Sequence, residues 1–296
     1  MRITSVMMGN SYRRNLQASQ QRLNEASLKS TDFLKFHKVS DDPASASKGF
    51  QLRREISRVN AQVSNAEMME GRINTAESAL VNVQEQLKDV KDRLIQGNNG
   101  TFSAENRSVI AEELRGIQKA IIQDMNISYT GQHLFGGEKT DEAPLSADEN
   151  GKLLFRGQSL EQLPNESDKD FKARMAKLED EMVLIDFGYG LEAGNSESGF
   201  DVSLSAVDFL GYGVDESGTP TNLYNLIGEM ADYLENNDDS TFDPEFFGKY
   251  IEQYDDSHDN FLNALTNMGQ KAHTIEYTKT RLSASLKSLQ EKQSYV

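Results

Sequence analysis

The sequence predicts a mainly α protein: an elongated antiparallel helical bundle, or coiled-coil rod, built from both chain ends, with an inserted β-rich α+β middle domain. Three observations predict it. Near the start, apolar residues alternate four- and three-residue steps through Leu52, Ile56, Val59, Val63, Ala66, Ile73, Ala76, Leu80, Val83, Leu87, Val90 and Leu94, with polar Glu70 standing between Ala66 and Ile73. A second seam near the end runs Phe261, Leu265, Met268, Ala272, Ile275, Lys279, Leu282, Leu286, Leu289, Gln293 and Val296. Steps averaging 3.5 residues hold one helix face on a partner through many turns. Between the seams the texture changes to short apolar runs, Leu153-Leu154-Phe155 and Met182-Val183-Leu184-Ile185, among Gly, Asn and Asp clusters. That is the pattern of strands and turns.

Each element follows in order. Ser11 to Phe36 reads as an amphipathic helix with Tyr12, Leu16, Leu23 and Phe33 on a stripe that Ser19, Ala26 and Ser30 weaken. Asp42-Pro43 restarts the chain, because Asp accepts from free first-turn N–H groups and Pro suits the first helical position. The helix from Pro43 to about Gln96 would be roughly 80 Å long at ~1.5 Å per residue. Gly97-Asn98-Asn99-Gly100 is a turn. Ser103 is placed to cap the next helix, whose apolar face is Ile110, Leu114, Ile117, Ile121 and Met125. Two helices interrupt the middle segment, near Asp168–Glu181 and Asn222–Leu234. Asp243-Pro244 repeats the cap-and-proline signal and opens a last helix reaching toward the chain end.

Composition excludes several classes of function. No apolar run approaches the ~20 residues of a membrane-spanning helix, and Met1-Arg2-Ile3-Thr4 lacks the apolar core of a cleaved signal peptide. The absence of Cys removes disulfides, thiolate zinc sites and cysteine nucleophiles together, and suits a chain exported unfolded. The net charge of −16 is concentrated: residues 138–259 hold 30 acids and 8 bases, the rest 17 acids and 23 bases. An acidic middle repels nucleic acid, whose binding rests on neutralising phosphates; its ordinary role is a solvated surface.

Catalytic and metal motifs fail on their context. Asp186-Phe187-Gly188 spells a kinase metal-binding signature, but no glycine-rich loop, strand lysine or His-Arg-Asp loop accompanies it. Asp148, Asn150 and Gly151 imitate a calcium loop whose twelfth position would be Gly157 instead of a bidentate Glu, so a hairpin turn is expected there. Asp255, His258 and Asp259 offer at most two converging ligands on a helix. His273 and Glu276 read as a helix-surface pair, and His37 and His133 lack a matched partner. No enzyme, cofactor or metal centre is expected. Glu70, Lys279 and Gln293 are polar at seam positions: long side chains there either reach for the rim or set the register of pairing.

Several stretches, taken in order, resemble the flagellin-like family of bacterial flagellar axial proteins. They are Met1-Arg2-Ile3-Thr4, Val39-Ser40-Asp41-Asp42-Pro43-Ala44-Ser45-Ala46, Leu52-Arg53-Arg54-Glu55-Ile56, Asn65-Ala66 and Arg72-Ile73-Asn74-Thr75-Ala76-Glu77-Ser78-Ala79-Leu80. Leu134-Phe135-Gly136-Gly137 is similar to a turn of the family's hook–filament junction members, and Met268-Gly269-Gln270-Lys271-Ala272 with Ile275-Glu276 is similar in style to its C-terminal helix. The resemblance implies a structural adaptor joining the hook, through the preceding junction protein, to the flagellin filament. The alternatives are a filament subunit and a cytoplasmic coiled-coil scaffold. Implied partners are neighbouring copies, the preceding junction protein, flagellin, the flagellar type III export machinery and a cytoplasmic export chaperone, with no nucleic acid and no membrane insertion. The implied location is the extracellular flagellum, reached without a cleaved signal peptide. The family continues into a further C-terminal helix where this chain stops at Val296, so a truncated chain is the expectation.

The expected domains are 1–42, an N-terminal helix mobile when isolated; 43–137 with 244–296, a discontinuous helical rod; and 138–243, the inserted β-rich domain. Residues expected to carry core and assembly are Leu16, Leu23, Asp42, Pro43, Ile73, Leu80, Leu87, Leu94, Leu134, Phe135, Gly136, Gly137, Leu265, Met268, Ile275, Leu282, Leu286 and Leu289.

Overall fold

Asp42 and Pro43 open the longest helix as their chemistry requires: Asp42 Oδ1 accepts the Ser45 N–H at 3.0 Å, and Pro43 is the first helical residue. The structure, a computed structural model, describes residues 2–32, 39–40, 42–99, 102–179, 181–188, 199–215 and 218–295. Its helices are α1 (Arg2–Asp32), α2 (Pro43–Gly97), α3 (Ala104–Met125), α4 (Asp168–Glu179), α5 (Ala206–Leu210), α6 (Leu223–Asn236) and α7 (Pro244–Ser294). Its strands are β1 (Ser128–Tyr129), β2 (Gln132–His133), β3 (Leu145–Ala147), β4 (Leu153–Phe155), β5 (Gln158–Ser159), β6 (Leu184–Ile185) and β7 (Phe200–Asp201). The protein is mainly α, and among the described residues its strands form three small antiparallel sheets, β1-β2, β3-β4-β5 and β6-β7. No described helix is long and apolar enough to cross a membrane.

α1 begins at Arg2, ahead of the expected Ser11. The apolar stripe starts late, but each added helical residue gains a backbone hydrogen bond whether or not its side chain packs. Phe33, Phe36, His37, Asp41, Gly100 and Val296 lie outside the described residues. Ser103 occupies the N-cap position of α3 with extended backbone, yet its hydroxyl makes no cap bond; the cap expected there is positional only. Asp243 does cap, accepting the Glu245 N–H at 2.9 Å.

Both seams form, along a corrected path. On α2 the buried column passes through Met69, 5 % exposed, and Glu70 stands beside it half-exposed. On α7 Thr278, 2 % exposed, fills the core where Lys279 was expected. Each polar residue is thus displaced by its neighbour, because a step of three serves the seam as well as a step of four. Phe247, Tyr254, Phe261, Met268, Ile275, Leu282 and Leu289 then follow one another every seven residues on the buried face of α7. Pairing is antiparallel: Lys279 Nζ meets Glu70 Oε2 at 2.6 Å, Tyr254 Oη donates to the Leu87 carbonyl at 2.5 Å, and Lys91 meets Asp255 at 2.7 Å.

α3 joins this pair through Gln86 to Asp124 (2.6 Å) and Arg93 to Glu113 (2.8 Å). The sequence does not announce its closest neighbour, α6. Gly228 lets the two approach: a Cβ there would stand 2.7 Å from Gln118 Nε2, which donates instead to the Tyr224 carbonyl at 2.7 Å. Arg107, 2 % exposed, closes the open end of α3 by donating to the Phe102 carbonyl and to Asp239 while lying over the Phe242 ring.

Two compact units result, one of residues 1–61 with 283–296 and one of residues 62–282. Within the first, Lys48, Gln51, Leu52 and Glu55 share a hollow of about 400 Å³ with Lys292 and Tyr295. α2 and α7 contribute a segment to each unit, while α3, α6 and the small sheets belong to the second.

Candidate assembly site

The Leu134-Phe135-Gly136-Gly137 turn is the best-built local site. It leaves the β1-β2 hairpin, and all four residues are buried. The Phe135 carbonyl accepts the Ala206 N–H at 2.9 Å, and the Gly137 N–H donates to the Leu204 carbonyl at 2.9 Å. The Phe135 ring meets Phe209 edge-on at 5.7 Å, and Phe209 meets Phe261 of α7 at 6.3 Å. The turn therefore ties α5 and the seam of α7 to the β1-β2 hairpin that follows α3.

Gly136 is required by a backbone contact and Gly137 by its positive φ. A Cβ on Gly136 would collide with the Lys139 carbonyl oxygen, 2.0 Å away. Gly137 has φ +64°, and a Cβ there would lie 2.4 Å from Arg156 Nη2 and 2.7 Å from Glu181 Oε2. Arg156 donates to the Gly136 carbonyl and holds Glu181 with both Nη atoms, over the face of Phe155 at 4.8 Å. The pair is largely withdrawn from water, at 13 % and 15 % exposure. Burial opposes ionisation of Glu181, but Arg156 and the Glu138 N–H hold its pKa below the ordinary value. Arg156 and Glu181 have no motif of their own; the only sequence signal for them is the doubled glycine, which marks a backbone something else approaches.

The other expected residues divide by burial. Ile73, Leu80, Leu87, Leu94, Met268, Ile275, Leu282 and Leu289 are buried, while Leu265 and Leu286 are half-buried on the rim. Leu16 and Leu23 are 47 % and 71 % exposed on α1, whose described side chains from Ser5 to Thr31 all face solvent.

Glu70 and Lys279, expected to reach for the rim or to set register, bond each other. Asp148 Oδ1 accepts from the Asn150 and Lys152 N–H groups at the tip of the β3-β4 hairpin, as the hairpin expectation required. Phe187 is 1 % exposed and serves the core. His133 Nδ1 lies 2.8 Å from the Asn126 carbonyl, and His273 meets Glu276 at 3.6 Å on the surface. His258 stacks between Tyr254 and Phe261, and burial lowers its pKa. Among the described residues no group of three His, Cys, Asp or Glu side chains is placed to hold a metal ion.

Comparison with known proteins gives one family match and consistent neighbours. Residues 3–140 match the bacterial flagellin N-terminal helical region. Flagellar hook-associated protein 3 of Escherichia coli (strain K12) is 24 % identical over 111 residues, covering 37 % of this chain and 35 % of that protein. Flagellin of Clostridium tyrobutyricum is 27 % identical over 134 residues, covering 45 % and 36 %. The chain thus spans about a third of the length of the curated relatives it matches. Among solved structures, a proposed flagellar hook-associated protein from Vibrio parahaemolyticus superimposes with a TM-score of 0.67 at 22 % identity, covering 88 % of this chain and all of that one. Hook-associated protein 3 of Legionella pneumophila gives 0.61 at 10 % identity, covering 82 % and 97 %. At these identities the structural likeness establishes the fold.

Proposed function

We propose that this chain, a flagellin-like protein of the hook-associated kind, is a structural adaptor that joins the flagellar hook to the flagellin filament. The observation that carries the reading is convergence: the N-terminal helical region matches flagellin, while two curated relatives and structural neighbours bear hook-associated names. On this reading the work is geometric and needs no chemistry. One surface receives the preceding junction protein, another templates flagellin, and the acidic segment 138–243 forms the outward-facing insert. The chain reaches the extracellular flagellum through the flagellar export channel with a cytoplasmic chaperone. The absence of Cys and the exposure of α1 side chains suit such a route.

A second reading, a filament subunit, draws on the flagellin of Clostridium tyrobutyricum among the relatives. A deletion strain separates the two. Adaptor function predicts hooks without filaments and flagellin shed into the medium, both reversed by the restored gene. Retained filaments overturn the adaptor reading, and loss of filaments with no shed flagellin favours the subunit.

A further inference from the structure

The junction of α6 and α7 carries a patch of aromatic rings that the core does not use up. Tyr233 meets Phe242, Phe246, Phe247 and Tyr250 at centroid distances of 5.8, 5.4, 5.7 and 6.1 Å. Only Phe247 of these five is buried; Phe246 is 44 % exposed, and Tyr233, Phe242 and Tyr250 are each partly open. Underneath, the Arg107 guanidinium lies 4.5 Å from the Phe242 ring centre and buried Phe247 stacks on Tyr233, so two of the outer rings rest on packed neighbours. Contiguous aromatic surface on a fixed base is the usual anchor of a protein interface.

Charge selects what covers it. Residues 237–250 carry Asp238, Asp239, Asp243 and Glu245 against Lys249. Arg107 offsets only Asp239. The Asp238 carboxylate is spent on loop hydroxyl and N–H groups and Asp243 on the first turn of α7, so neither negative charge is matched by a cation among the described residues. The same imbalance holds across the compact units. Residues 62–282 contain 41 acids and 18 bases, whereas residues 1–61 with 283–296 contain 13 bases and 6 acids. That cationic unit also exposes apolar side chains, with Met7, Met8, Tyr12 and Leu23 at 69–71 %, and Phe50 at 52 % beneath Arg53 at 5.7 Å.

We propose that the Tyr233–Phe242–Phe246–Tyr250 face is the seat for the cationic unit of a second copy of this chain. The contact is heterologous, one copy's acidic aromatic face against another's basic unit, so it extends copy to copy instead of closing a symmetric dimer. Opposite charge supplies orientation and encounter rate, and the rings supply the dry contact. This deepens the adaptor reading by assigning a face to contact between copies, and it rests on that reading for its setting in the flagellum.

Photo-cross-linking tests it on the full chain. A benzophenone amino acid placed at Phe246 is mixed with a mass-tagged copy of the unaltered sequence and illuminated at low salt. The expected product is an intermolecular adduct mapping to residues 1–61 or 283–296, with a yield falling at least about fivefold between ionic strengths of about 0.05 and 0.5 M as the Debye length shrinks. Phe246→Ser, at an exposed ring, should weaken self-association measured by sedimentation without changing helix content. Adducts confined to one chain, adducts to residues 62–282, a yield indifferent to salt, or no adduct overturn the proposal. If the adduct forms as expected but a deletion strain keeps its filaments, the adaptor reading fails while this interface stands. If filaments are lost but the adduct does not form, the reverse holds.

Discussion

Gly137 shows how a short motif stores a contact that only the folded chain reveals. Its positive φ excludes ordinary side chains, and the Arg156–Glu181 pair fills the space where a Cβ would go. Gly137→Ala should therefore destabilise the protein by more than about 1 kcal/mol, measured by chemical denaturation. An unchanged midpoint would show that the pair moves aside freely. Tyr254 offers a gentler test. Its hydroxyl bonds the Leu87 carbonyl in the core between α2 and α7, and Tyr254→Phe should remove about 1 kcal/mol while leaving the ring packing intact.

Asp208 gives a pH signature at the same scale. The side chain still reaches solvent, yet the protein around it pushes its pKa up to about 6, with Glu179 and Asp201 adding repulsion and Lys271 and the Ser205 hydrogen bond opposing the shift. A carboxyl whose folded pKa is raised binds its proton more tightly in the native state. Its contribution is therefore fully present below the unfolded value of about 3.9 and is lost as pH rises through about 6. Asp208→Asn should flatten the stability profile between about pH 4 and 6, and carbon NMR of the native carboxyl should give a midpoint near 6.

At the scale of elements, the seams were legible and their fine path was not. A sequence read in steps of three and four marks a helix face, but it cannot choose between adjacent residues when both steps satisfy the repeat. Met69 and Thr278 take the buried places because Glu70 and Lys279 gain more by meeting each other half-exposed at the rim. The partnership of α6 with α3 was hidden for a related reason. Periodicity reveals which face of α6 is apolar, and only the close approach permitted by Gly228 decides what it packs against. Arg107 was missed because burial of an arginine is visible only once Asp239, Phe242 and the Phe102 carbonyl surround it.

Two outcomes belong to the elements. Leu80→Ala or Leu87→Ala, both at fully buried positions, should cost about 2–5 kcal/mol, whereas a double-mutant cycle on Glu70 and Lys279 should give a far smaller coupling that fades with added salt, as solvent screens the pair. α1 should behave differently from both. With every described side chain from Ser5 to Thr31 facing solvent, its helix rests on backbone bonds and local side-chain bonds such as Arg13 to Asn10, without a packed face among those residues. Its amides should exchange with solvent far faster in the isolated chain than those of α2 around Leu80, and strong protection of Leu16 to Leu28 would contradict that.

At the scale of the whole molecule, charge and fold separate cleanly in the sequence while function does not. The acidic middle, the absence of Cys and the two seams constrain what the chain can be, yet a stacked adaptor and a filament subunit satisfy them equally. What distinguishes the two is number and position in the flagellum, since an adaptor occupies one short zone and a subunit fills the filament. Immunogold electron microscopy of flagella, with an epitope inserted at the exposed Asn150-Gly151 hairpin tip, measures that directly. The adaptor account predicts gold confined to the hook–filament boundary; gold along the filament, or only inside cells with intact flagella, would contradict it.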